Sequence, residues 1–267
     1  MQLPGAVPDV ITYSTMISAC AKCAQPDQGL ELFRAMQQQA VMPNAVTYNS
    51  LISACEKGAQ LEQALEVFRT IQRQDEIPNV ITYTSLISAC QKGKQLEQAL
   101  KVFQKMLQQG VVPNVVTCSA LIRTCEEDKQ TEQALNVVEN MCTEGVVPDQ
   151  ITCNALISAF GKGNQPGWAL KVYKAMRQQD LMRDVITYNA LISACEKGQQ
   201  PEQALEMLQA ILRQGVVPNV ITCSALISAC KKGRQLEQAL EVFRAMQRQV
   251  VVPNVITYTD LISACEK

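Results

Sequence analysis

A period of 35 residues runs through the whole chain without an insertion. Counting Val10 as position 1, threonine occupies position 3 of every unit. These residues are Thr12, Thr47, Thr82, Thr117, Thr152, Thr187, Thr222 and Thr257. Repeats of this length build solenoids, in which each unit buries its apolar face against its neighbours. The sequence therefore predicts one repeat array over 1–267, with seven complete repeats at 10–254 and partial repeats at 1–9 and 255–267. Because the chain ends inside a unit, we expect it to be a fragment of a longer protein.

Each unit contains two segments with helical spacing. In the first, typified by residues 51–58, we expect the position-3 threonine to supply the N-cap oxygen and Lys57 to complement the helix dipole. Gly58 then ends the helix in the left-handed conformation. The second segment starts near Leu61, where other units place a proline suited to a first helical turn, and its apolar residues recur at spacings of three and four. No segment alternates like a strand, so the sequence predicts an all-α solenoid of helix-turn-helix repeats.

Composition removes several classes of function. The formal charge of −1 gives no overall basic field, and the chain has no histidine, the usual general base and metal ligand. Its apolar runs are too short to span a membrane, and no signal or transit peptide is visible at the N-terminus. Nothing resembles a phosphate-binding loop or a paired-carboxylate centre. We therefore expect no enzyme activity, no cofactor and no membrane insertion.

The chain resembles the pentatricopeptide repeat family in its regular 35-residue form. The resemblance rests on "VITYSTMISACAK", "AVTYNSLISACEKG", the central "LEQALEVF" and the closing "VPN", and it extends over the whole length. It implies a right-handed superhelix that binds single-stranded RNA in mitochondria or chloroplasts, with one nucleotide read by each repeat.

Two positions carry the residue types that base reading needs. Position 5 holds only small hydrogen-bonding residues: Ser14, Asn49, Thr84, Ser119, Asn154, Asn189, Ser224 and Thr259. Position 35 holds only Asn or Asp: Asn44, Asn79, Asn114, Asp149, Asp184, Asn219 and Asn254. A carboxylate only accepts hydrogen bonds and suits guanine or uracil, whereas an amide also donates and suits adenine or cytosine. Turn and helix-start preferences are the competing explanation for both positions.

The resemblance adds that Ser or Thr at position 5 accompanies purines and Asn accompanies pyrimidines. It also implies that the N-terminal repeat meets the 5′ end. The seven position-5 and position-35 pairs then predict 5′-AYAGUYA-3′, where Y is cytosine with uracil tolerated. Thr259 would read one further base, a purine.

Position 2 is always apolar: Ile11, Val46, Ile81, Val116, Ile151, Ile186, Ile221 and Ile256. The resemblance implies that these side chains sandwich the bases, and core packing between hairpins is the alternative. Position 13 is a lysine in all units but one: Lys22, Lys57, Lys92, Lys162, Lys197, Lys232 and Lys267. Glu127 is the exception. A lysine in nearly every repeat favours phosphate contacts, and capping of the helix C-terminus is the alternative.

The cysteines indicate packing in a reducing compartment. Most of the twelve recur at position 11, about one hairpin apart and too far from each other for disulfides. Cys20 and Cys23 form a lone Cys-x-x-Cys without histidine, and we expect no metal there.

The sequence thus predicts a sequence-selective RNA-binding protein of organellar RNA processing, stabilisation, splicing or translation. The alternative is a structural subunit of a large organellar assembly such as a ribosome, in which the repeats contact other proteins.

Overall fold

The computed structural model describes residues 8–74 and 76–265. These residues form fifteen helices and no strand, which confirms the predicted all-α solenoid of helical hairpins. The first helices of the hairpins are α1 (Val10–Lys22), α3 (Ala45–Lys57), α5 (Val80–Lys92), α7 (Val115–Glu127), α9 (Gln150–Lys162), α11 (Val185–Lys197), α13 (Val220–Lys232) and α15 (Val255–Cys265). The second helices are α2 (Pro26–Gln38), α4 (Leu61–Arg73), α6 (Leu96–Gln108), α8 (Thr131–Thr143), α10 (Pro166–Gln178), α12 (Pro201–Arg213) and α14 (Leu236–Arg248).

The chain divides into two compact units. The first comprises the described residues up to Thr124 together with Val137–Val146, and the second comprises Cys125–Asn136 and the described residues from Val147 onward. Within the first unit, α1 packs against α2 and α3, and α3 packs against α4 and α5. Within the second, α9 packs against α10 and α11, and α11 packs against α12 and α13. In both units, therefore, first helices of successive hairpins pack against each other.

Aromatic side chains join neighbouring hairpins where position 4 is tyrosine. The ring of Tyr48 at position 4 is buried and meets Phe33 of the preceding repeat edge to face, with ring centroids 5.7 Å apart. Tyr83 and Phe68 repeat this contact at 5.5 Å. Because the partner of each ring lies in another hairpin, a single hairpin cannot bury its own core.

The helix N-cap is the residue at position 35, not the threonine at position 3. Asn44 Oδ1 accepts a hydrogen bond of 3.0 Å from the Thr47 backbone N–H, and the Thr47 hydroxyl accepts one from the Asn44 N–H in return. Threonine is thus the third helical residue of a capping box. The prediction that it supplies the N-cap oxygen was wrong because Asn and Thr both qualify as caps, and they lie only three residues apart.

Glycine at position 14 ends the first helix, as predicted, but in the right-handed conformation. The φ angle is −80° at Gly58 and −75° at Gly198, and the left-handed residue is the next one, Ala59, with φ of 56°. Glycine is needed because of a close approach: a Cβ on Gly58 would lie 2.6 Å from Pro26 Cγ, and one on Gly198 would lie 2.3 Å from Pro166 Cγ. The glycine therefore admits the second helix of the preceding repeat.

None of the described helices combines the length and apolar character needed to cross a bilayer. The position-11 cysteines from Cys20 to Cys230 are buried free thiols, as predicted, whereas Cys265 at the same position is exposed. Cys118, Cys153 and Cys223, which replace tyrosine at position 4, are also buried.

Candidate nucleic-acid interface

Position 35 presents one side-chain atom whose chemistry differs between Asn and Asp. In all seven units the Oδ1 atom at this position accepts the backbone N–H of the following threonine, at 2.8 to 3.1 Å. A backbone N–H can only donate, so this bond fixes which atom of the side chain faces the helix. The other atom is a donating Nδ2 in Asn and an accepting Oδ2 in Asp. Capping and base reading are therefore compatible uses of the same residue.

Position 5 contacts the threonine of the next repeat. Where position 5 is Asn, its Oδ1 lies 2.6 to 2.7 Å from the threonine hydroxyl, as between Asn154 and Thr187 and between Asn189 and Thr222. At Ser14, Thr84 and Ser224 the contact joins two hydroxyls, 2.6 to 2.9 Å apart. The position-3 threonine hydroxyl also lies 2.6 to 3.2 Å from Oδ1 of the position-35 residue just before it. The structure thus brings the two proposed base-reading positions together around one buried hydroxyl.

Position 2 is exposed in every unit. The exposed fraction runs from 54% at Ile151 to 70% at Ile11, so packing inside the chain does not account for these residues. Position 2 precedes position 5 by three residues on the same helix and therefore lies on the same face. Each first helix presents a bare branched side chain beside a polar one.

The lysines at position 13 fall into two groups. Lys92, Lys162 and Lys232 form ion pairs of 2.9 to 3.0 Å with the glutamate at position 12 of the preceding repeat, namely Glu56, Glu126 and Glu196. Lys57 instead donates to the carbonyl of Ala21, at 3.0 Å, because position 12 of the first repeat is alanine. In the repeat that precedes Lys197, position 12 is glycine, Gly161. Among the described residues, Lys197 has no acidic partner within ion-pair distance.

This division limits the phosphate interpretation. The position-13 lysines do complement a helix C-terminus, but it is the C-terminus of the first helix in the preceding repeat. Lys57 and Lys92 each donate to a backbone carbonyl in the last turn of that helix. Three of the ammonium groups are neutralised by glutamate, so the positive stripe expected from the sequence is interrupted. Lys267 lies outside the described residues.

Repeats four and five (115–149 and 150–184) depart from the pattern in their contacts as well as in their sequence. Glu127 and Arg123 are both exposed. Trp168 stacks on Phe160 with centroids 6.2 Å apart, and Lys171 Nζ lies 3.9 Å from the centroid of the Trp168 ring. The tryptophan therefore packs against the phenylalanine that stands where other units have a position-11 cysteine.

Sequence reasoning missed three features of this surface. The first is the junction role of the position-3 threonine, which looked like an ordinary cap. The second is the glutamate at position 12, whose occurrence in alternate repeats is visible in the sequence once the lysine partner is known. The third is an apolar residue at position 33 that is exposed in every unit: Met42, Ile77, Val112, Val147, Met182, Val217 and Val252.

The fold and this surface define an α-helical repeat solenoid whose units each present the same polar and apolar side chains in the same register. Comparison with family models agrees. The pentacotripeptide-repeat region of PRORP matches residues 5–165, the PPR repeat family matches 148–197, and the pentatricopeptide repeat domain matches 206–267. The chain belongs to the pentatricopeptide repeat family. No curated protein sequence matches it.

Solved structures share the fold at low sequence identity. The pentatricopeptide repeat protein PPR10 of maize, in complex with an 18-nt psaJ RNA element, is 21% identical with a TM-score of 0.78 over 97% of this chain. The chain spans only 38% of that protein. The PPR domain of Arabidopsis thaliana protein-only RNase P 1, in complex with tRNA, is 15% identical with a TM-score of 0.60, over 68% of this chain and 95% of that one. Nuclear proteinaceous RNase P 2 of A. thaliana is 16% identical with a TM-score of 0.64, over 71% and 43%.

Proposed function

We propose that this chain binds single-stranded RNA and reads one nucleotide with each repeat, in the register 5′-AYAGUYA-3′. The observation that carries the proposal is the side chain at position 35, whose Oδ1 is held by the helix cap while its other atom is a donor in Asn and an acceptor in Asp. A structural cap alone does not require this second atom to be presented beside an exposed apolar residue.

The surface around that atom fits a base in size and chemistry. The aliphatic side chains at position 2 provide flat contact for the faces of a base, as aromatic residues do in other single-strand binders. Position 5 provides a second hydrogen-bonding group on the same helix face. The lysines without a glutamate partner offer charge for the phosphates.

The RNA complexes of PPR10 and of the RNase P repeat domain support the same class of ligand. By this proposal the protein acts by occupying a transcript in an organelle, in processing, stabilisation, splicing or translation. The family matches within this chain are all to repeats, so the proposal gives it binding and no catalytic step.

A binding experiment tests the proposal. In separate experiments the purified chain is titrated with a labelled RNA containing 5′-AYAGUYA-3′, with its complement, and with the DNA of the same sequence, so that complementary strands are never mixed. We expect the complement to bind at least tenfold less tightly, because most repeats then face the opposite pattern of donors and acceptors. Equal affinity for all three would remove base reading and leave the scaffold role as the better account.

A further inference from the structure

We infer that the buried threonine at position 3 is a positioning residue for base selection: it sets which side-chain atom the position-5 asparagine of the preceding repeat presents to the base. The inference rests on the proposed RNA reading and concerns a residue that would not itself touch RNA.

The hydroxyl of the position-3 threonine lies at a buried junction between two repeats. Thr187 and Thr222 are fully buried. The hydroxyl of each lies between the position-5 and position-35 side chains of the repeat before it. The Thr222 hydroxyl is 2.6 Å from Asn189 Oδ1 and 3.0 Å from Asn219 Oδ1. The Asn219 backbone N–H donates to it from 3.1 Å. Every hydrogen-bonding direction of this hydroxyl is therefore directed at a neighbour.

The threonine hydroxyl has fewer protons than it has acceptor neighbours. A threonine hydroxyl has a single proton, and both side-chain oxygens beside it are acceptors. Asn219 Oδ1 already receives the Thr222 backbone N–H at 3.0 Å. The shorter contact therefore takes the proton, and Asn189 Oδ1 is held toward the interior. Its Nδ2 amide group is then the atom that the threonine does not hold and that a base can meet.

Repeats that carry Ser or Thr at position 5 make a different contact with the threonine. There the contact joins two hydroxyls, for example 2.9 Å between Ser224 and Thr257, and either can donate. A hydroxyl at position 5 can thus present a proton or a lone pair, whereas an asparagine presents a donor. The difference in what the base meets depends on the threonine beneath.

Replacing Thr222 by valine removes this constraint and keeps the shape. The backbone N–H at residue 222 still caps onto Asn219, so the helix start is preserved. The carboxamide of Asn189 loses the group that fixed it and can turn either its oxygen or its nitrogen outward. We expect the repeat to retain RNA contact and lose its preference.

The test measures a ratio at one nucleotide. Wild type and Thr222→Val are titrated with two RNAs that differ only at the sixth nucleotide, cytosine or adenine. We expect wild type to favour cytosine by about five- to tenfold, in keeping with one or two net hydrogen bonds, and the variant to favour it by less than twofold. Thr222→Ser, which restores the hydroxyl, should return the wild-type ratio. Both RNAs are titrated with one preparation, so any unfolded fraction cancels from the ratio.

Thr124→Val provides the matched control. Thr124 is equally buried, but its hydroxyl donates within its own helix to the Ala120 carbonyl, at 2.8 Å. This variant loses a buried hydroxyl and should keep the cytosine preference. Thr187→Val gives an independent measurement at the fifth nucleotide, where the uracil preference should fall. An unchanged ratio in both valine variants overturns the inference, whereas a wild-type ratio near one overturns the proposed base reading itself.

Discussion

The side-chain amide of Gln150 donates a hydrogen bond of 2.9 Å to Oδ2 of Asp184, the carboxylate oxygen that the helix cap does not hold. Position 1 is valine or alanine in every other unit, so this contact is particular to repeat five. A base that needs the Asp184 acceptor must first displace the Gln150 amide.

Gln150→Val should therefore strengthen binding at the fifth nucleotide. We expect the variant to bind an RNA with uracil there about fivefold more tightly than wild type does. This corresponds to about 1 kcal/mol, because the base no longer competes with Gln150 for Asp184 Oδ2. Titration of wild type and variant with uracil and adenine RNAs gives the comparison. An equal gain for the adenine RNA would show that the change acts on general affinity and not on Asp184.

Glu196→Gln should release a phosphate-binding lysine. Glu196 neutralises Lys232 at 2.9 Å, and glutamine keeps the oxygen that accepts from Ser228 while removing the charge. Each phosphate contact on single strands steepens the dependence of log K on log salt by about 0.7. Among the described position-13 lysines, three have no acidic partner: Lys22, Lys57 and Lys197. They predict a wild-type slope of about −2, and the variant should approach −3.

The control for this experiment is Glu206→Gln, which removes an exposed charge from the second helix of the same repeat. It changes the net charge by the same amount and should leave the salt slope within about 0.3 of wild type. A common shift in both variants would assign the effect to overall charge.

Gly198→Ala should destabilise the second unit. The added Cβ would lie 2.3 Å from Pro166 Cγ, and overpacking of this kind costs about 1 to 3 kcal/mol. Gly167→Ala is the matched control, because a Cβ there meets nothing within 4 Å and alanine favours a helix. Urea unfolding followed by circular dichroism should move the two midpoints in opposite directions. A neutral Gly198→Ala would mean that α10 moves away at little cost.

The glycine also shows how far the sequence could predict this structure. Local signals in the sequence correctly predicted that the second helix of a hairpin starts at Pro166 and at the equivalent prolines of other repeats, because proline preferences act within one turn. The reason for the glycine could not be read in the same way, since Gly198 and Pro166 lie 32 residues apart and meet only when two hairpins stack. The pairing of Lys232 with Glu196 could not be predicted for the same reason, since it also forms only between stacked hairpins. In the candidate site, residue identities at positions 2, 5 and 35 were visible from the period alone, but the hydroxyl that links two of them was not.

Thiol labelling should separate core from surface cysteines. Burial raises the pKa of the Cys90 and Cys230 thiols to about 11 and that of Cys125 to about 12. At pH 8 the thiolate fraction is therefore about one in a thousand for Cys90 and Cys230 and about one in ten thousand for Cys125. We expect native protein to label rapidly only at the exposed Cys23, Cys142 and Cys265, as read by mass spectrometry. All twelve should label after denaturation. Rapid labelling of native protein at any of the buried position-11 thiols, from Cys20 to Cys230, would indicate that the hairpins open.

Asp149→Asn separates base reading from helix capping. Asp149 Oδ1 accepts the Thr152 backbone N–H at 2.8 Å, and asparagine retains that oxygen, as it does at the same position in five other repeats. The melting temperature should therefore stay within a few degrees, while the second side-chain atom changes from an acceptor to a donor. We expect the fourth nucleotide to change from guanine toward adenine, by about 1 kcal/mol or roughly fivefold, with the other six preferences unchanged. Titration against two RNAs that differ only at that base measures the change.

Asp184→Asn provides an independent check, in which the contact with Gln150 also changes. The same exchange of acceptor for donor should move the fifth nucleotide from uracil toward cytosine. The introduced Nδ2 would face the Gln150 amide, however, and Gln150 must turn its oxygen inward to accept from it. The change at the fifth nucleotide should accordingly be smaller than at the fourth, and it should reach full size in the double variant with Gln150→Val. If both single variants rank the RNAs as wild type does, the residues at position 35 serve as caps alone, and the regular surface of the repeats is better explained by contacts with protein.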